Sequence, residues 1–226
     1  MNSSRLSLVH RVREPRPATA GGQQPPLLLM LHGIGSNEDD LYGLAPYLDE
    51  RFLIVSARAP LPMGPMAYGW FNIEYTPQGL VADLAQAEQS YHLLLRFIDE
   101  LIEKYGAGNS GIYLMGFSQG AMMSLSVALT HPQKVAGVVA MSGRLPTSAI
   151  EHLAPPEDLA SLPIFLAHGT DDFVIPVEFA REAREFLAQL PIELTYREYP
   201  MAHQVSMESL NDIRVWLGER LGHKTA

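Results

Sequence analysis

The chain alternates short apolar runs with longer amphipathic stretches from end to end. Arg5 to Arg13 places Leu6, Leu8, His10 and Val12 on alternate positions, the pattern of an edge strand. Leu27 to Leu31 is apolar without a break, as in a strand buried on both faces. Phe52–Ser56, Ile112–Met115, Val135–Met141, Ile164–Ala167 and Ile192–Tyr199 read as further strands. Between them, Leu80, Leu84, Ala87, Tyr91, Leu94, Ile98, Leu101 and Tyr105 recur at steps of three and four, which predicts a helix with one buried face. Helices are also predicted over Leu41–Leu48, Gln119–Thr130, Val177–Leu190 and Ser206–Leu221, the first with Asn37, Glu38, Asp39 and Asp40 at its positive N-terminal end.

The remaining segments read as loops. Pro15 to Pro26 is rich in Pro, Gly, Ala and Gln; Gly106–Ser110 is a turn; Ser142–Leu162 is a connection. Ala59 to Gln78, with Pro60, Pro62, Pro65 and Pro77, reads as a long irregular loop of the kind that carries function. Strands alternating with helices predict an α/β fold: a mostly parallel central sheet with helices on both faces, as one domain over residues 1–226 without a separate cap.

Composition narrows the function. A net charge of −9 disfavours nucleic acid and anionic membrane surfaces as partners. With 0 cysteines, thiolate catalysis, disulfides and Cys-based metal sites are excluded. The N-terminus lacks an apolar core of signal-peptide length, and no apolar run approaches a membrane span, so the expected location is cytoplasmic. No metal or cofactor is expected, and a homodimer is compatible with the sequence.

The strongest chemical signal is Gly116-Phe117-Ser118-Gln119-Gly120, a G-x-S-x-G elbow between an apolar strand and a small-residue helix. A serine hydroxyl needs a base, and in this arrangement the partners follow in the order serine, acid, histidine. His203 lies between a strand and the last helix and is the candidate base; His223 stands in a polar tail. The candidate acid is Asp171 or Asp172, just past the strand Ile164–Ala167, and spacing does not separate them. Leu31-His32-Gly33-Ile34-Gly35 follows the first buried strand. The Ile34 and Gln119 amides are therefore the candidate oxyanion hole, each such donor contributing about 3–4 kcal/mol. His32 precedes the serine and reads as structural.

These segments, with His168-Gly169-Thr170-Asp171-Asp172-Phe173-Val174-Ile175-Pro176 and Met201-Ala202-His203, resemble the phospholipase/carboxylesterase family of α/β-hydrolases, which includes carboxylesterases and acyl-protein thioesterases. The resemblance spans about Leu27 to Leu221 and implies the α/β-hydrolase fold. It selects Asp172 as the acid, the Asp of a His-Gly-x-x-Asp-x-x-Val-Pro pattern in which Ile175 replaces Val. It also implies the Ile34 and Gln119 amides as the oxyanion hole. Tyr68-Gly69-Trp70-Phe71 looks like the family's substrate loop, so Trp70 and Phe71 either line an acyl site or fill the core beneath the loop, and Met66, apolar at the tip of the same long loop, is expected at the acyl site. The expected reaction is hydrolysis of small carboxylic esters with short to medium acyl chains, with thioesters as secondary substrates. Trp70 would set the chain-length preference. A thioesterase or lysophospholipase acting on longer lipid chains is the alternative, and a non-catalytic ligand binder of this fold the weakest reading.

Overall fold

The computed structural model describes residues 6–16, 24–76, 79–106 and 111–222. Arg5, most of the expected loop between Pro15 and Pro26, Pro77 and Gln78, the turn at 107–110 and His223 lie outside the described residues. A seven-stranded sheet runs in the order β1-β3-β2-β8-β9-β10-β11. Its strands are β1 (His10–Arg13), β2 (Leu27–Leu31), β3 (Leu53–Ala57), β8 (Ile112–Phe117), β9 (Val135–Met141), β10 (Pro163–Gly169) and β11 (Glu193–Tyr199). Only β1 is antiparallel, pairing His10 with Ala57 and Arg13 with Ile54 at the sheet edge. It is shorter than its alternation suggests because β3, its partner, ends at Ala57.

The unbroken apolar run of β2 has the burial it calls for, with all five residues covered. Leu27, Leu29 and Leu31 face one side, where they join Leu94, Phe97, Ile98 and Leu101 of α1 (Leu84–Tyr105) and Leu125 and Leu129 of α2 (Gln119–Thr130). Leu28 and Met30 face the other, with Leu210, Ile213, Trp216 and Leu217 of the C-terminal helix Met207–Gly222. The period of two along a strand thus feeds two cores, one on each face of the sheet.

Three connections differ from the sequence reading. The segment after Ala59 is folded, not irregular: β4 (Leu61–Gly64) and β5 (Ala67–Gly69) form one hairpin, and β6 (Ile73–Thr76) and β7 (Gly79–Ala82) another. Strands this short, broken by prolines, leave no alternation to read. Leu80 belongs to β7, and α1 starts only at Leu84, where the Asp83 carboxylate accepts the Gln86 amide at 3.0 Å. The Ser142–Leu162 connection holds two short helices, α3 (Thr147–Glu151) and α4 (Pro156–Leu159), ahead of α5 (Val177–Leu187) and α6, the C-terminal helix.

Candidate active site

The carboxyl ends of β8, β10 and β11 carry the candidate residues, where parallel sheets place their ligands. Ser118 leaves β8 at φ 53°, ψ −117°, a strained conformation for a residue with a Cβ. Its amide donates to the Met141 carbonyl on β9 at 2.9 Å, and α2 begins with the next residue. The two glycines of the elbow are required by close approach. A Cβ on Gly120 would overlap the Leu31 carbonyl, and one on Gly116 the Gly120 carbonyl.

The loops after β10 and β11 are joined to each other. The Thr170 amide donates to Tyr199 O at 2.8 Å and the Asp171 amide to Met201 O at 3.1 Å. At Gly169 the Met201 carbonyl occupies the space a side chain would need. The two aspartates that follow have different surroundings. Asp171 is exposed, whereas Asp172 is 4% exposed and accepts a hydrogen bond from His203 Nδ1 at 2.7 Å through Oδ2. Its Oδ1 accepts the Val174 and Ile175 amides at 2.9 and 2.8 Å. A carboxylate partner fixes the proton on Nδ1, leaving the Nε2 lone pair of His203 available as a base. The ring lies 4.8 Å from that of Phe117, beside the elbow.

The loop after β2 closes over the same edge. A Cβ on Gly33 would sit 3.2 Å from Ser118 Cβ, so the loop passes directly against the serine. The Ile34 amide has no acceptor among the described residues, and the Gln119 amide stands in the first turn of α2, where helix geometry supplies no partner. The loop is tied to the β4–β5 hairpin by Gly35 N–H to Tyr68 O and Tyr68 N–H to Ser36 O, both 2.8 Å. Asn37 Nδ2 donates to Met66 O at 2.8 Å. Glu38 does not serve the following 3-10 helix (Leu41–Tyr47), as its position suggested. It is buried against Arg58, whose Nε donates at 2.6 Å and whose second nitrogen closes a fork on the same carboxylate. That pairing holds the Glu38 carboxyl below its usual range. His32 is structural: Nδ1–H donates to Gly33 O at 2.7 Å and Nε2 accepts the Ala59 amide at 3.0 Å. Burial lowers its pKa.

The family model described as phospholipase/carboxylesterase matches residues 17–219. The chain belongs to the phospholipase/carboxylesterase family. Among its relatives, a protein named acyl-protein thioesterase 1 from Mycosarcoma maydis is 31% identical over 220 residues, covering 84% of this chain and 89% of the other. One named probable carboxylesterase SOBER1-like, from Arabidopsis thaliana, is 29% identical over 86% of this chain and 78% of its own length. The solved structure of esterase PE8 superposes with a TM-score of 0.80 at 27% identity, over 94% of this chain and 98% of that one. The carboxylesterase of Bacillus cereus, at 22% identity and a TM-score of 0.77 over 97% of this chain and 96% of the other, shares the α/β-hydrolase fold.

Within this family fold, two expected substrate-wall residues turn inward. Trp70 is fully buried; its indole N–H donates to His32 O at 3.0 Å, and its ring lies 6.0 Å from that of His32. Phe71 is 3% exposed. Both are held from below by the Gln119 side chain, whose Oε1 accepts the Trp70 amide at 3.0 Å and whose Nε2 donates to Phe71 O at 2.7 Å. An aromatic loop next to a buried polar floor fills the floor, since indole surface and an N–H with an acceptor gain most there. Met66 stays on the surface, at φ 57° and 58% exposed, at the hairpin tip. Two exposed apolar residues that the sequence reading passed over lie beside the candidate acid. Phe173 and Val174, directly after Asp172, are 90% and 61% exposed. Their apolar character one and two positions after the candidate acid was the available signal. Among the described residues no group of three or more His, Cys, Asp and Glu could hold a metal ion.

Proposed function

We propose that the protein is a serine hydrolase cleaving carboxylic esters of short to medium acyl chains through an acyl-enzyme intermediate. The observation that carries this reading is the 2.7 Å bond between His203 Nδ1 and Asp172, formed beside a serine on a strained elbow. In the proposed mechanism Ser118 Oγ attacks the ester carbonyl carbon while His203 Nε2 takes its proton. The carbonyl oxygen becomes an oxyanion between the Ile34 and Gln119 amides. Collapse expels the alcohol, which receives the proton from His203. Water then attacks the acyl-enzyme by the same route and releases the acid. Asp172 keeps the proton of neutral His203 on Nδ1 and stabilises the imidazolium.

Four exposed apolar side chains lie on the loops that carry the site: Ile34, Met66, Phe173 and Val174. They support an acyl-binding rim at the surface in place of the expected Trp70 and Phe71 wall. A second reading, hydrolysis of acyl thioesters, is favoured by relatives named acyl-protein thioesterase 1. It uses the same residues and a better leaving group. Small-molecule substrates and a cytoplasmic location fit both readings; no helix among the described residues is long and apolar enough to cross a membrane. Fluorophosphonate labelling of wild type and Ser118→Ala, followed by matched oxyester and thioester panels varying only in acyl length, tests the proposal. Labelling and turnover in Ser118→Ala equal to wild type would overturn it.

A further inference from the structure

One buried titratable side chain next to the site has no part in this mechanism. His168 precedes Gly169 at the end of β10 and exposes none of its surface. Its Nε2 lies 2.7 Å from the Ile175 carbonyl oxygen and 3.4 Å from Asp172 Oδ2. Both neighbours are acceptors, while Nδ1 has no partner among the described residues. An imidazole with acceptors at one nitrogen and none at the other holds its single proton on the acceptor side. Asp172 is thus flanked by two rings, with His203 and His168 both addressing Oδ2. On β11 the residue in register with His168 is Glu198, but its carboxylate is engaged by Arg181 at 2.8 and 2.9 Å and by Tyr196 at 2.8 Å. Just past the end of β9 the flanking residue is the uncharged Ser142, whose amide donates to Ala167 O at 2.9 Å.

We propose that His168 is a positioning residue for the acid: its Nε2–H, donated to Ile175 O with Asp172 Oδ2 3.4 Å away, braces the 172–175 turn and partly offsets the charge that His203 faces. The inference rests on the Ser118–His203–Asp172 reading. The geometric consequence follows from the turn itself. The Ile175 amide grips Asp172 Oδ1 while the Ile175 carbonyl is gripped by His168, so one peptide segment is held from both ends. Removing the donor leaves a half-buried carbonyl unpaired and frees the turn that aims the carboxylate. The electrostatic consequence has a definite sign. Without His168, Oδ2 presents more negative charge to His203, and the imidazolium form is favoured. The acidic limb of kcat/KM then moves upward.

The test compares His168→Leu with His168→Gln, whose amide N–H reaches the position of Nε2, on a short aryl ester. Rates are normalised to active sites titrated with a fluorophosphonate. His168→Leu is expected to lose about 10- to 100-fold in kcat with KM changed by less than about twofold, the loss expected when the carbonyl that anchors the acid's turn is left without its donor. Its acidic limb should shift to higher pH, and His168→Gln should recover most of both. Wild-type kcat and limb in His168→Leu, or equal losses in Leu and Gln with an unmoved limb, would overturn the inference and leave His168 a packing residue. Should His168→Leu not accumulate as folded protein, the same comparison is made between His168→Gln and the shorter His168→Asn, which cannot reach Ile175 O; equal kcat in those two overturns it. Ser118→Ala is run in parallel. Turnover retained there defeats the hydrolase reading itself, whereas an inactive Ser118→Ala beside an unaffected His168→Leu defeats only the role of His168.

Discussion

At the scale of single residues, two adjacent aspartates have opposite surroundings. Asp172 holds His203 and two backbone amides, while the Asp171 side chain is exposed. Asp172→Asn is therefore expected to lower kcat by about 10⁴-fold, because an amide cannot hold the productive tautomer of the ring. Asp171→Asn should stay within about twofold of wild type. Steady-state kinetics of the two variants decide the point, and a more severe Asp171→Asn would contradict it. Trp70 gives a second contrast between appearance in sequence and place in the fold. A buried indole with its N–H on His32 O acts through packing. Trp70→Ala should cost about 3–5 kcal/mol of stability. Among the molecules that remain folded it should leave the order of preference for acyl lengths unchanged, as denaturant melts and an ester series would show.

At the scale of elements, the loop after β2, which carries the proposed oxyanion donor, and the β4–β5 hairpin form one unit through Arg58. Its guanidinium forks onto Glu38, donates to Tyr68 Oη at 3.2 Å, and stacks 4.5 Å from the Tyr68 ring centre. Arg58→Met keeps much of the stem and removes the fork, so the Ile34 amide loses its lateral support. A displaced donor costs rate more than affinity; kcat is expected to fall about 10- to 100-fold with KM little changed. Wild-type kcat would show that the loop holds its shape without the pair. The elbow makes a sharper demand, because the Gly120 contact is backbone against backbone. Gly120→Ala should abolish folded, fluorophosphonate-reactive protein, while Gly43→Ala, where nothing lies within 4 Å of the added carbon, should be neutral.

At the scale of the whole molecule, several buried groups make stability depend on pH in one direction. Burial lowers the pKa of His32 from 6.5, and burial and Lys134 lower that of His131. Below about 6.5 the unfolded chain takes up these protons and the folded chain does not, so the unfolded state binds more and stability falls as pH falls. Arg58 holds Glu38 below its reference value of 4.5, and the same sign applies there: the contribution is present above 4.5 and is lost as pH drops through the folded value. The melting temperature should therefore decline from pH 7 to pH 5 and again below pH 4.5. His32→Gln, which has no proton to gain, should show a shallower decline in the upper window; an identical slope would remove His32 from the account.

The alternation of apolar runs and amphipathic stretches determined the parallel sheet, because a strand covered on both faces must be apolar throughout and a crossover helix must bury one stripe. The elbow was equally legible, since strand, serine and glycines are contiguous and the close approach of Leu31 O leaves no room for another residue at Gly120. The order of serine, acid and histidine placed His203. Whether Asp171 or Asp172 faces it was left even by spacing and chosen only by resemblance; in the fold the two have different surroundings, and Asp172 is the one bonded to His203, a residue far along the chain. The same holds for the hairpins after Ala59, for Glu38 turning to Arg58 instead of the helix beside it, and for Trp70 turning to His32. In each case the local pattern left the direction of the chain or side chain open. Only the folded chain, by bringing one acceptor within reach and burying the alternative direction, decided which way it turns.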